Sequence, residues 1–174
     1  MGRRSPVLVA VCFWLVAGSA CEPAVDLASS LKFIPTLTGY YDNGLNANKR
    51  NQYLPSITFQ LKNEGDMPLS NVDMSFSFWE VGADGERDSK YIRGIASTAL
   101  APGATSDAIT VRASVGYESE IYGAQIFSNS RFKGMVVKVF AKRSGKTTKL
   151  GELPIEQRVL PKVSSGVPAG GSRP

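Results

Sequence analysis

The chain predicts an all-β fold, an immunoglobulin-like or fibronectin-III-like β-sandwich of about seven strands. Three observations carry this expectation. Apolar and polar residues alternate with a period of two in several separate stretches. Turn signals divide these stretches at intervals of roughly 10–15 residues. No stretch shows a convincing helical period.

The elements follow in order. Lys32 to Tyr41 reads as the first strand, with Pro35 implying an edge position or a bulge. Asn43-Gly44 is a strong turn signal. In Ser56 to Lys62, Ile57, Phe59 and Leu61 alternate with polar neighbours. Val72, Met74, Phe76 and Phe78 alternate in the same way with Asp73, Ser75 and Ser77. Asn63-Glu64-Gly65-Asp66 reads as a turn between these two runs, which predicts a hairpin or a tight strand-to-strand connection. Gly82-Ala83-Asp84-Gly85 marks the next reversal, and Lys90 to Thr98 is a weaker strand. Pro102-Gly103 turns the chain ahead of Ile109-Thr110-Val111. Gly116 to Ser130 is ambiguous and reads as a loop with one helical turn. Met135, Val137 and Val139 alternate again, Ser144-Gly145-Lys146 turns, and Leu150 to Val159 is the last strand, with Pro154 implying an edge or a bulge.

The ends have a different character. Arg3 and Arg4 precede Val7 to Val16, an almost purely apolar run of about ten residues, half of the roughly 20 that a spanning helix needs. Its length fits the apolar region of a signal peptide, and Gly18-Ser19-Ala20 supply small residues for a peptidase. Cys21 follows at once. The expected organisation is a signal peptide at 1–20, a lipidated cysteine and tether at 21–30, the sandwich at 31–160 and a disordered tail at 161–174 rich in proline, glycine and serine.

Small residues ending in cysteine resemble the lipobox of bacterial lipoproteins. Gly18 stands where that family most often has leucine. The resemblance implies a diacylglyceryl group on the Cys21 thiol, cleavage before Cys21 and acylation of the new N-terminus. Two or more acyl chains hold a protein stably at a membrane without a spanning helix. The other reading is an ordinary secretory signal with an incidental cysteine. In the family, aspartate after the cysteine often signals inner-membrane retention. Glu22 here leans towards the outer membrane, facing the periplasm.

Composition excludes much. There is no histidine, which removes Ser-His-Asp and Cys-His catalysis, the commonest zinc ligand and the best proton carrier near neutral pH. The only cysteines are Cys12, in the apolar run, and Cys21, so a mature chain would hold no disulfide. Of the 20 basic residues, loss of Arg3 and Arg4 leaves an excess of +3 over the 15 acidic ones. That suits a soluble surface and no nucleic-acid partner. No cofactor and no metal is expected.

A second resemblance rests on Leu61-Lys62-Asn63-Glu64-Gly65, Pro68-Leu69-Ser70-Asn71-Val72, Leu100-Ala101-Pro102-Gly103 and Ile109-Thr110-Val111. These look like small bacterial immunoglobulin-like domains of the FxLYD and CARDB kind. Those domains end one strand in N-x-G, begin the next with L-x-N-V, and set an L-x-P-G turn before a hydrophobic strand. A loose version of the FxLYD signature is Phe76-Ser77-Phe78-Trp79. The likeness spans about Ser56 to Val111 and bears on fold. The whole chain also resembles bacterial lipoproteins.

Candidate binding residues are Tyr40, Tyr41, Asp42, Trp79, Tyr117 and Tyr122. Tyrosines beside a turn offer rigid apolar faces with polar tips; the plainer reading packs one ring in the core and lets the other cap its edge. Asp42 and Asn43 are oxygen donors, but Lys49 and Arg50 follow and a closing glutamate is missing, which argues against calcium. Asn46 to Arg50 is either an anion- or headgroup-binding patch or a solvated loop. Glu118 and Glu120 are two residues apart, a spacing that suggests the paired carboxylates of glycoside chemistry, yet they read more simply as solvent-facing charges. Trp79 falls on the polar phase of its strand: either both faces are covered, or the ring marks a contact patch.

The leading expectation is therefore a non-enzymatic binding or assembly module, lipid-anchored in a cell envelope, that offers loops and an edge strand to a protein partner. The alternative is an accessory that binds a glycan or lipid through Tyr40, Tyr41, Tyr117 and Tyr122, and it requires those rings to cluster. A hydrolase using carboxylates alone is a third reading.

Overall fold

The computed structural model describes residues 25–161. The expected signal peptide at 1–20, the expected lipidation site Cys21 and residues 162–174 of the expected tail lie outside them. The described chain is an all-β sandwich of nine strands in two sheets. The strands are β1 (Leu31–Leu45), β2 (Asn51–Asn63), β3 (Val72–Glu80), β4 (Glu86–Ile95), β5 (Ile109–Arg112), β6 (Tyr117–Ser119), β7 (Met135–Arg143), β8 (Lys146–Ile155) and β9 (Val159–Leu160). One sheet has the order β5-β2-β1-β9, with β6 also on β2; the other has the order β4-β3-β7-β8. Seven strands make the expected sandwich. The additions are β6, a second segment along β2, and the two-residue β9, parallel to β1.

The alternation places the core. Val72, Met74, Phe76 and Phe78 of β3 are buried, while Ser75, Ser77 and Trp79 face outward. Ile57, Phe59 and Leu61 of β2 meet them from the other sheet, with the Phe59 and Phe76 rings 5.1 Å apart. Full burial of each such side chain contributes about 1.5–3 kcal/mol. The described residues include no cysteine, so no disulfide supports this core.

Proline sets local geometry as its missing N–H requires. Pro35 sits at a bulge between Pro35 and Leu37, and Pro154 lies on the edge strand β8. Pro55 falls where the partner of β2 changes: β5 pairs with residues from Ser56 on, and β6 with residues up to Tyr53.

Three expectations need correction. Asn43-Gly44 is a bulge inside β1, with Gly44 at φ 83°, and not the turn. The turn comes later, because the Asn46 side chain accepts the N–H groups of Asn48 and Arg50, each at 3.0 Å, and mimics a backbone turn there. Next, β2 and β3 do not form a hairpin. They belong to different sheets, and residues 64–71 carry the chain across. Finally, the expected tether is partly folded. Leu27–Ser30 forms a helical turn, α1, whose Leu27 is buried, and Val25 also packs on the core.

Both ends of the sandwich can now be named. The near end holds α1, the 64–71 crossover and the Ser144-Gly145 turn; Lys146 pairs with Asp26 there at 3.2 Å. The far end holds the Asn46–Arg50 turn, the residues after Glu80, and residues 117–134, tied together by the Val81 N–H to the Gly134 carbonyl at 3.2 Å. β1 runs from one end to the other, a span of about 45 Å at ordinary strand rise.

Candidate functional site

The far end is built on aromatic packing. Tyr40 points inward from β1 and is fully buried. It gathers Tyr117, Phe127 and Phe132 at ring distances of 6.0, 5.3 and 5.4 Å. These rings dock an otherwise irregular segment, which holds the expected helical turn as a 3₁₀ stretch at Gly123–Ser128. Tyr53 pins it from beneath: its hydroxyl oxygen accepts the Gly123 N–H at 2.6 Å. The Tyr117 hydroxyl donates to the Gly134 carbonyl at 3.2 Å. Burial, aided by nearby Glu80, pushes the Tyr117 phenol up to about 12. Burial raises the Tyr40 phenol further; its hydroxyl is buried without a well-formed hydrogen bond, the Met135 backbone giving it only slight support.

Above this cluster opens a groove of about 290 Å³. Tyr117 and Phe132 form its base, and Arg50, Glu118, Glu120 and Arg131 stand at its rim. Glu118 and Glu120 are exposed and flank the buried Ser119, so strand alternation aims both at solvent. Lys49 and Arg50 are exposed in the turn, at the end of the sandwich opposite α1.

The tyrosines named from sequence do not share one surface. Tyr40 and Tyr117 meet in the core cluster. Tyr41 lies on the outer face of its sheet, where the Arg112 guanidinium stacks over its ring at 3.6 Å. Tyr122 is 69% exposed, at the start of the 3₁₀ stretch. Strand geometry separates Tyr40 from Tyr41, because neighbouring residues point to opposite faces. Asp42 is buried and accepts the Gly44 N–H at 2.8 Å, which holds the bulge, while the Asn43 amide donates to Gln52 at 2.6 Å. Among the described residues no group of three or more Asp or Glu side chains gathers as a metal site.

Trp79 resolves to the outward face of β3. Its Nε1–H donates to the Ser77 hydroxyl at 2.6 Å, and the Lys138 ammonium sits 3.8 Å above the ring. The rings that join it on this face, Tyr91 of β4 and Phe140 of β7, are not singled out by the sequence. Tyr91 lies in the strand with the weakest alternation, and Phe140 follows a run of small β-branched residues that reads as core.

The two edges of the second sheet, β4 and β8, are partly guarded. Asp88 and Lys90 sit on the inward phase of β4, opposite Phe78 and Phe76, and both bond to Ser114 across the gap between the sheets. Charges on the inward phase of an edge disfavour pairing with another chain. At the opposite side α1 packs against β8.

No family model and no curated protein matches the chain. Among solved structures it is similar to an alkylpurine DNA glycosylase of Pseudomonas fluorescens bound to DNA containing an abasic site analogue: 14% identity, TM-score 0.38, covering 76% of this chain and 31% of that one. It is similar to a Bacteroides uniformis β-glucuronidase at 13% identity and TM-score 0.39, over 72% of this chain and 12% of that one. It is also similar to the ligand-binding region of serine-glutamate repeat protein A of Enterococcus faecium at 14% identity and TM-score 0.32, over 75% of this chain and 97% of that one. The chain thus spans less than a third of the first two proteins. All three TM-scores lie below 0.5, and no activity of this chain follows from them.

Proposed function

We propose that this protein is a lipid-anchored, non-enzymatic binding module of a bacterial cell envelope, on the outer membrane and facing the periplasm, which offers its far-end loops to a protein partner. One observation carries the reading. The chain enters the sandwich at α1, and the groove rimmed by Arg50, Glu118, Glu120 and Arg131 lies at the opposite end, about 45 Å away along β1. An anchor on Cys21 would be joined to Leu27 through five residues, a reach of about 20 Å at most. It would hold the near end at the bilayer and turn the groove away from it.

That arrangement disfavours a headgroup role for Lys49 and Arg50, which then point away from the membrane. The guarded β4 edge favours recognition by loops over addition of a strand. Among the described residues no helix is long and apolar enough to cross a membrane.

The test has two parts. Mass spectrometry of the native N-terminus is expected to find an acylated Cys21. Photo-crosslinkers at positions 50 and 131 are expected to capture one envelope protein in living cells, while the same groups at positions 146 and 149, at the near end, do not. Native protein that retains Met1 or carries an unmodified Cys21 would overturn the anchor. Equal capture from both ends, or none from the far end, would overturn the orientation.

A further inference from the structure

The outer face of the second sheet has a chemistry that the far-end groove lacks, and it is independent of how the chain is anchored. Three rows cross β4, β3 and β7 in register: Tyr91, Ser75 and Phe140; Ser89, Ser77 and Lys138; Glu86, Trp79 and Val136. Aromatic rings therefore stand in the first and third rows, four residues apart along β3, or roughly 13 Å. Ser77 and Ser89 lie in the row between them, and Ser75 lies between the two rings of the first row. A shallow groove of about 370 Å³ follows this line.

Polar contacts fix its shape. The Trp79 indole donates to Ser77, whose hydroxyl donates to the Glu86 carboxylate. Lys138 covers part of the indole from above. Tyr91 is 80% exposed, the most exposed of the large hydrophobic side chains on the described surface.

Charge and polarity decide what fits. Inside the groove, Glu86 and Lys138 have opposite signs. At its flanks Arg93 pairs with Asp73, and Lys149 pairs with Glu152 at 2.7 Å. Lys142, in register with Asp73, brings this face to four cations against three acids, an excess of one and far short of what an anionic bilayer or a nucleic acid requires. An acyl chain or an apolar helix requires a continuous apolar floor, and here serines break the apolar surface into separate rings. The complement is an uncharged ligand with apolar faces for the rings and hydroxyls for the floor. A pyranose offers both, because its C–H faces stack on aromatic rings while its hydroxyls radiate from the edge.

We infer that this groove binds a short, uncharged, linear oligosaccharide. One end unit stacks on Trp79, the other on Tyr91 beside Phe140, and the hydroxyls between them bond to Ser75, Ser77, Ser89 and Glu86. Lys138 swings off the indole to admit the sugar and donates to its ring oxygen or a hydroxyl.

The test uses the protein in mild detergent; Trp79 is the sole tryptophan of a chain cut before Cys21, and Trp14→Phe makes it so in an uncut one. The probes are the β-linked hexasaccharides of glucose, xylose and N-acetylglucosamine. At least one is expected to change Trp79 fluorescence saturably, and calorimetry on the unsubstituted protein should give the same affinity. Tyr91→Ala and Trp79→Ala should each weaken that affinity about tenfold by calorimetry. Both rings lie on the outer face, so thermal midpoints should stay close to the parent's and show that the variants fold. Tyr122→Ala, at the far end, should bind like the parent. Saturable binding of none of the three probes would overturn the inference. So would binding that survives loss of both rings, or binding lost equally with Tyr122. The state of Cys21 does not enter this measurement, so its outcome is separable from that of the proposed anchor.

Discussion

The side-chain amide of Asn63 donates to the carbonyl of Leu100 at 2.9 Å, and so ties the last residue of β2 to the connection between β4 and β5. The same amide donates to the Met67 carbonyl at 2.8 Å, and its oxygen accepts the Gly65 N–H at 3.0 Å. Its backbone is engaged as well, with the Ala104 carbonyl and the Gly103 N–H. Asn63 is fully buried. It is the polar clamp that lets the chain leave one sheet and enter the other.

Replacing Asn63 with Ala is therefore expected to destabilise the domain by about 2–4 kcal/mol, since the Met67 carbonyl and the Gly65 N–H lose their side-chain partner and the Leu100 carbonyl keeps only the Leu69 N–H. Asp keeps an acceptor for the Gly65 N–H but cannot donate, and it sets a buried carboxylate against the two carbonyls, so Asn63→Asp should cost at least as much. Urea denaturation followed by circular dichroism measures it. A loss below about 0.5 kcal/mol for Asn63→Ala would show that the clamp is dispensable.

Asn63 also shows what a sequence hides. Period-two alternation in β2 and β3 marks strands and their buried faces, because one face of each is packed against the other sheet. The turn chemistry of Asn63 to Asp66 marks a reversal, but not whether the strands it joins will pair. The pairing is decided by Leu69 and Leu100, which bridge and draw the crossover onto another loop. Likewise Asn43-Gly44 has hairpin composition, and the stronger side-chain turn of Asn46 displaces the reversal by a few residues. The site is harder to read. Tyr40 and Tyr117 meet through long-range packing that no local period records. The face around Trp79 depends on the register of three strands, so its partner Tyr91 is visible only once β4 is aligned.

Gly116 is the tightest glycine of the described fold. A Cβ placed there would lie 2.0 Å from the carbonyl oxygen of Tyr53 and 3.0 Å from Cα of Leu54. Those are backbone atoms of a central strand and cannot yield. Gly116→Ala is expected to cost about 2–4 kcal/mol. Gly85 is the control: a methyl group added there would meet nothing within 4 Å, and Gly85→Ala should stay within about 0.5 kcal/mol of the parent. Equal stability of the two variants by thermal denaturation would contradict the close approach.

Leu27 is the first buried side chain of the described residues. It is only 3% exposed and lies in the one-turn helix whose Asp26 pairs with Lys146. Leu27→Ala should cost about 2–3 kcal/mol, the lower part of the range for buried leucines, because a single turn at the edge can partly close over the gap. Lys146→Ala should change stability by less than about 0.5 kcal/mol, since that ion pair is exposed. If Leu27→Ala were as mild as Lys146→Ala in urea, residues before β1 would be tether and not fold.

The tyrosine cluster predicts a dependence on alkaline pH. The Tyr117 phenol is raised to about 12 in the folded state, and Tyr40 further, chiefly by burial. The unfolded phenols titrate near 10. Above that value the unfolded chain releases these protons while the folded chain keeps them, so stability falls as pH rises. Below about pH 10 both states are protonated and the contribution is constant. The expected profile is flat on this account up to about pH 9 and declines from about pH 10 to 12. Other groups also affect stability at alkaline pH, so the parent alone does not isolate the phenols. Tyr40→Phe does. It keeps the ring contacts with Tyr117, Phe127 and Phe132, and it removes a buried hydroxyl that lacks a well-formed hydrogen bond. At about pH 7 it should be neutral or stabilising by up to about 1 kcal/mol. Between about pH 10 and 12 it should lose stability less steeply than the parent. Parallel curves for the two proteins in pH-resolved urea melts would mean that the Tyr40 proton is as easily lost in the fold as outside it, and would refute the buried-phenol account of the far end.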